Sequence, residues 1–145
     1  LEHYYDPFHK SLKKQIMYLS NIFGFCYHID LHTMPSKALL NFKKEPDIVL
    51  GDNFGKSCSL GLMNYLKSVF KENGFTVELN NPYAGGFITR NYGNPSKGVH
   101  TIQIEINRKI YMDENKLSLK NIKILQEIFA KIFNNLKLSE KIAAE

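Results

Sequence analysis

Three side chains that could bind a metal or transfer a proton alternate along one short apolar segment. His28, Asp30 and His32 are separated by single aliphatic residues, so in a β-strand all three project from the same face. Pro35 turns the chain soon afterwards, which places His32 at the carboxyl end of the strand, the edge where open α/β sheets bind ligands. An imidazole there could be a metal ligand, or Asp30 could hold it for a structural reason. His28 lies deeper in the strand, and we expect it in the core.

A second polar row lies in the segment 99–107. Polar residues alternate with isoleucines along this segment. The polar residues are Thr101, Gln103, Glu105 and Asn107. In a sheet covered by helices on both faces, such a row is costly to bury unless it lines a cavity or binds a ligand. Glu105 is therefore a candidate general base, and Arg108 a candidate clamp for a substrate carboxylate, because a guanidinium holds a carboxylate with two hydrogen bonds. An edge strand with one hydrated face is the alternative explanation.

The loop 80–98 is rich in glycine and proline, too rich for a regular element, and it is long for a plain connection. Its paired glycines, Gly85 and Gly86, would let backbone N–H groups approach a bound anion, and Arg90 could add hydrogen bonds. The segment lacks the Gly-Lys-Ser/Thr ending of a phosphate loop and the spacing of a dinucleotide fingerprint. By itself it is a weak indication of a binding loop.

The elements that must position these residues alternate between helices and strands. Apolar residues at three-to-four-residue spacing predict helices over 6–21 and 57–73, and a last helix near the C-terminus, the latter two capped by Ser57 and Ser118. Apolar, β-branched and aromatic runs predict strands over 25–31, 47–50, 75–79 and 99–107. We therefore expect a single α/β domain over 1–145, with a mostly parallel or mixed sheet flanked by helices, of the phosphorylase/hydrolase-like kind.

The composition excludes several classes of protein. With 43% hydrophobic and 23% charged residues among 145, the chain is not of the disordered kind. The net charge of +5 comes from lysines dispersed along the chain, so we expect solvated faces and no nucleic-acid partner. No apolar run is long enough to span a membrane, and the opening residues do not resemble a secretory signal, so we expect a cytoplasmic protein. Cys26 and Cys58 are expected to be free thiols.

Four segments, taken in order, resemble the N-formylglutamate amidohydrolase family. They are Asp-Leu-His-Thr-Met-Pro-Ser at 30–36, Pro-Asp-Ile-Val-Leu-Gly-Asp-Asn-Phe-Gly at 46–55, Asn-Pro-Tyr-Ala-Gly-Gly at 81–86, and Gln-Ile-Glu-Ile-Asn-Arg at 103–108 with Tyr-Met-Asp-Glu at 111–114. The resemblance covers nearly the whole chain, and four motifs in the right order are far more specific than any one of them.

The resemblance implies a zinc-dependent amide hydrolase, related to the carboxypeptidase and aspartoacylase group, that cleaves N-formyl-L-glutamate or a similar N-acyl amino acid. Its substrate would be an acidic small molecule, and no membrane or nucleic-acid partner is implied. Carried over to matching positions, His32 is the metal ligand and Glu105 the general base. The substrate's carboxylates would be held by Arg108 and Arg90, and the pocket would be shaped by Asn81, Tyr83, Gly85 and Gly86.

The metal ligands are the point at which this sequence departs from the family. Family members carry a further N-terminal portion that is expected to supply other ligands, and a catalytic zinc normally has three protein ligands. Here the matching motifs supply His32 alone; His9 could reach the site, and His100 lies on the face opposite to Glu105. The chain is therefore either part of a larger enzyme or a shortened, non-catalytic homologue that at most binds an acidic small molecule.

Overall fold

Helices and strands alternate along the chain. The computed structural model describes residues 2–39 and 45–137. The helices are α1 (Tyr5–Phe23), α2 (Leu60–Glu72), α3 (Phe87–Tyr92) and α4 (Ile122–Lys137), and the strands are β1 (Cys26–Met34), β2 (Ile48–Gly51), β3 (Val77–Leu79), β4 (Val99–Asn107), β5 (Met112–Asp113) and β6 (Ser118–Leu119). Short 3₁₀ helices lie at Ser36–Leu39, Pro95–Lys97 and Arg108–Ile110.

Four of the strands form one mixed sheet in the order β1-β4-β2-β3. β1 is parallel to β4 and β2 is parallel to β3, whereas β2 and β4 are antiparallel. The predicted class, an α/β fold with a mostly parallel or mixed sheet flanked by helices, is confirmed in its mixed form. β5 and β6 pair separately as a two-stranded ladder.

The main hydrophobic core lies between the sheet and the helices α2 and α4. The isoleucines of β4, which are Ile102, Ile104 and Ile106, point into it. The helices contribute Leu62, Leu66, Phe70, Leu125, Ile128 and Ile132 to the same cluster. Removal of this apolar surface from water is the main favourable contribution to folding. The polar residues that alternate with these isoleucines therefore lie on the opposite face of the sheet.

That opposite face carries the polar rows and a smaller apolar cluster. Met34 and Val49 are buried there with Leu39, and Tyr83 packs against them. Helix α1 buries little of its surface, and its buried residue is Ile16.

Two helix caps differ from the predicted ones. Ser59, not Ser57, caps α2, because the Ser59 hydroxyl accepts a hydrogen bond from the Leu62 N–H. The Ser57 hydroxyl instead donates to the carbonyl of Thr101 at 2.8 Å, so it ties the start of α2 to β4. Ser118 lies in β6, and α4 begins only at Ile122.

Cysteine pairing and membrane insertion can be assessed directly. Cys26 and Cys58 are both buried and free, as predicted. Among the helices of the described residues, none has the length and apolar character needed to cross a membrane.

Candidate active site

The pairing of β1 with β4 brings the two polar rows together. In the parallel register His28 is opposite Thr101, Asp30 is opposite Gln103, and His32 is opposite Glu105. Residues at the same register position of neighbouring strands project from the same face of a sheet. Both polar rows therefore lie on one side of the sheet, with His32 close to Glu105.

His32 stands between two carboxylates. Its Nδ1 is 3.5 Å from Oε1 of Glu105, and its Nε2 is 3.2 Å from Oδ2 of Asp30. The His32 side chain is 46% exposed while that of Glu105 is 8% exposed, so the imidazole lies at the opening and the carboxylate below it. β1 continues to Met34, which makes His32 the third residue from the end of the strand and not the last, as the sequence had suggested.

The Glu105 carboxylate has two unequal oxygens. Oε1 accepts a hydrogen bond from Nε2 of Gln103 at 2.8 Å. Oε2 is buried and has no hydrogen-bond partner among the described residues. Burial raises the pKa of Glu105, and Asp30 raises it further, against the opposing effects of His32, Gln103 and Arg108. A buried carboxylate with a raised pKa and one free oxygen is suited to accept a proton from a reactant.

The glycine-bearing turn 83–86 lies directly over the sheet. Gly86 donates its backbone N–H to Oε1 of Gln103 at 2.8 Å, so this N–H is engaged within the protein. A Cβ atom on Gly51 would lie 2.6 Å from the backbone nitrogen of Gly85, which means that only glycine permits this approach of turn to strand. Gly85 has φ +107°, a conformation that side-chain-bearing residues rarely adopt.

Each of the two candidate arginines is tied to a residue of this arrangement by one side-chain hydrogen bond within the described residues. Arg108 donates from Nε to Oγ1 of Thr33 at 3.3 Å, and Arg90 donates from Nη1 to the carbonyl of Gly85 at 3.2 Å. A guanidinium has five N–H donors, so each arginine retains donors for a ligand. Their clamping role, like the roles of Asn81, Tyr83, Gly85 and Gly86 in the pocket, stays a prediction.

Sequence comparison decides the family. Residues 1–112 match the sequence model of the N-formylglutamate amidohydrolase family. The chain belongs to this family.

The relatives that this chain matches are longer than the chain itself. It is 36% identical over 118 residues to the N-formylglutamate deformylase of Pseudomonas putida, a match that covers 80% of this chain and 44% of the relative. The corresponding enzyme of Pseudomonas aeruginosa is 35% identical over 112 residues, covering 76% and 42%. The crystal structure of the N-formylglutamate amidohydrolase of Ralstonia eutropha superimposes with a TM-score of 0.81 at 32% identity, over 88% of this chain and 48% of that one. The chain thus spans less than half the length of these relatives.

Three further histidines contact residues other than Glu105. His9 Nδ1 is 2.6 Å from the hydroxyl of Tyr92. His28 lies 3.5 Å from the hydroxyl of Thr101, and burial lowers its pKa. His100 is buried on the core face, where its Nδ1 accepts the Ser59 N–H. Within residues 2–39 and 45–137, no three His, Cys, Asp or Glu side chains are grouped to hold a metal ion.

Gln103 and Gly51 are the residues of this site whose importance the sequence did not reveal. Gln103 was visible as a member of the polar row, but its partners could not be known before the turn 83–86 was placed over β4. Gly51 ends a predicted strand, and a glycine there is equally compatible with an ordinary turn.

Proposed function

We propose that this chain supplies the general base and one metal ligand of an enzyme that hydrolyses N-formyl-L-glutamate, or a similar N-acyl amino acid, to the free amino acid and the carboxylate. Membership of the family and the names of the Pseudomonas relatives support the reaction class. The observation that carries the proposal is Glu105, a buried carboxylate with an unpartnered Oε2 whose other oxygen is 3.5 Å from an exposed imidazole.

Glu105 would move one proton in this reaction. Its carboxylate accepts a proton from the attacking water as the water oxygen bonds to the formyl carbon. The same proton then passes to the amide nitrogen as the carbon–nitrogen bond breaks, which gives formic acid and the free amine. The second water proton, left on formic acid, passes to the amine, so that formate and the ammonium form of the amino acid leave. Burial raises the pKa of Glu105, and a carboxylate with a raised pKa is a stronger base toward the attacking water.

The positive side chains around the site fit an acidic substrate. N-Formylglutamate carries two carboxylates, and Arg108 and Arg90 each retain guanidinium donors that could form bidentate pairs with them. Asn81, Tyr83 and the glycines 85 and 86 would shape the substrate pocket. The implied partner is a small acidic molecule.

The zinc ion expected for this reaction does not fit the described residues alone. His32 is proposed as one ligand, but both of its nitrogens face carboxylates, and no group of three ligands is present in the described ranges. A catalytic zinc needs three protein ligands and an open position. Completing such a site therefore requires ligands beyond these residues.

The lack of a three-ligand metal group among the described residues favours one alternative, a non-catalytic homologue that binds an acidic small molecule. Such a protein would need the arginines and the turn but neither a metal nor a base. The two functions differ in whether Glu105 is required for turnover.

A chimera tests the proposal. The stretch of the Pseudomonas putida deformylase that matches this chain is replaced by the present sequence, and formate release from N-formyl-L-glutamate is measured. We expect turnover that Glu105→Gln lowers by about 10²–10⁴-fold, while Glu78→Gln, at an exposed position of β3, leaves it unchanged. A folded chimera that binds N-formyl-L-glutamate without releasing formate would overturn the proposal in favour of the non-catalytic alternative.

A further inference from the structure

Gln103 connects two parts of the site. It is 4% exposed, and its side chain forms two hydrogen bonds of 2.8 Å each. The amide oxygen accepts from the Gly86 N–H, and the amide nitrogen donates to Oε1 of Glu105. We propose that Gln103 is a positioning residue that couples the turn at Gly85 and Gly86 to Glu105, and so selects Oε2 as the oxygen that faces the reactants. The coupling stands on geometry alone, and only its consequence for catalysis rests on the proposed function.

The orientation of the Gln103 amide follows from its partners. A backbone N–H can only donate, so Gly86 must face the amide oxygen of Gln103. The amide nitrogen is then directed toward Glu105, and because that nitrogen can only donate, it occupies an acceptor position on Oε1. Oε2 is left buried and without a partner among the described residues.

The turn at the other end of this connection is itself firmly held. Asn53 N–H donates to the carbonyl of Ala84 at 2.7 Å, and the close contact of Gly51 with Gly85 leaves no room for the turn to sink. The carbonyl of Gly85 accepts from Arg90. A continuous chain of contacts therefore runs from Arg90 through the turn and Gln103 to Glu105.

Through this chain of contacts, a displacement of Arg90 would alter the hydrogen bond that Gln103 donates to Glu105. Hydrogen-bonded chains polarise one another, so a change at one end alters the bonds at the other. A Gln103 that merely fills space would transmit nothing, and an apolar residue of similar volume would replace it without effect at Gly86.

The test uses the backbone amide resonance of Gly86 in the ¹⁵N-labelled 145-residue chain. We compare the shift caused by Glu105→Gln in the native background with the shift that it causes in a Gln103→Met background. The methionine side chain is about as long as that of glutamine but cannot form either of the two hydrogen bonds of Gln103. We expect the shift to be at least about twofold larger when Gln103 is present, and hydrogen-exchange protection of the Gly86 amide to be lost in Gln103→Met. Thr101→Val, a buried change on the same face of β4, should have neither effect.

Gln103→Asn guards against a methionine variant that fails to fold. Asparagine keeps the amide group but is one methylene shorter, so it cannot reach both the Gly86 N–H and Oε1 of Glu105. The response of the Gly86 amide to Glu105→Gln should therefore weaken in this variant as well. Equal Gly86 shifts with and without Gln103, or unchanged protection in Gln103→Met, would overturn the inference.

The spectra are independent of catalysis. An inactive chimera whose 145-residue counterpart shows the coupling would contradict the proposed function and leave this inference standing. An active, Glu105-dependent chimera without the coupling would contradict only the inference.

Discussion

His32 and Glu105 occupy the same register position of two parallel strands, with Nδ1 of the imidazole 3.5 Å from Oε1 of the carboxylate. This places an exposed imidazole over a buried carboxylate. The pair is positioned by backbone pairing along β1 and β4 and not by a loop, and sites built on strands hold their geometry more tightly than sites built on loops.

The arginines should bind substrate through geometry and not through charge alone. Replacing Arg108 or Arg90 by Lys keeps the charge but removes the planar fork that pairs with a carboxylate. We expect N-formyl-L-glutamate to bind about tenfold or more weakly to at least one of these variants, measured by calorimetry. Unchanged affinity in both would assign the arginines a structural or surface role.

Stability should fall in mild acid because of a buried histidine. Burial lowers the pKa of His100 below its ordinary value of 6.5, so the unfolded chain takes up a proton more readily than the folded one. This contribution is fully present above about pH 6.5 and is lost as the pH falls below it. We expect His100→Asn to lose less free energy of unfolding than the native chain between about pH 7 and pH 5, in urea titrations. Burial also lowers the pKa of His28, so the free energy of unfolding of His100→Asn should still depend on pH to some extent. Parallel curves for the two proteins would contradict the prediction.

The thiols should be unreactive while the protein is folded. Burial and the neighbouring Asp52 raise the pKa of Cys58 to about 12, and burial raises that of Cys26. The thiolate is the reactive species, so labelling by a thiol reagent at neutral pH should proceed only as fast as the protein opens. Rapid labelling of either cysteine under native conditions would show that the environment described for it is wrong.

Gly51 should tolerate no side chain. A Cβ atom there would lie 2.6 Å from the nitrogen of Gly85, so Gly51→Ala must push the turn off the sheet. We expect a loss of about 1–3 kcal/mol in the free energy of unfolding, together with weaker binding of N-formyl-L-glutamate. Ser68→Ala, on the exposed side of α2, is the control. Native stability in Gly51→Ala would mean that the turn can move freely.

Elements with a strong periodic pattern could be predicted from the sequence. The bounds 99–107 predicted for β4 match those observed. Strict alternation of isoleucine with polar residues is typical of a strand with one apolar face, so this element could be recognised along its whole length. β1 extends to Met34, beyond the predicted end at 31, because its pairing with β4 continues where its own sequence becomes polar. α3 was missed, since six helical residues between glycines carry no periodic signal.

In the candidate site too, features that depend on local alternation could be predicted, and features that depend on packing between segments could not. Alternation predicted that the polar residues of each strand share a face, and the pairing of β1 with β4 then places His32 beside Glu105. The antiparallel direction of β2 against β4 and the contact of Gly86 with Gln103 depend on how separate segments pack, and local patterns carry no information about that.

In the proposed site, this chain holds the base and one imidazole, and residues outside the described ones complete the zinc ligands. Formate release from N-formyl-L-glutamate, with excess zinc, in the chimera and in the 145-residue chain side by side tests this proposal most directly, with Glu105→Gln in both. We expect Glu105-dependent turnover in the chimera and none above the Glu105→Gln background in the 145-residue chain, because one imidazole cannot retain a catalytic zinc. Robust, Glu105-dependent turnover by the 145-residue chain would contradict it and would show that its own residues complete the metal site.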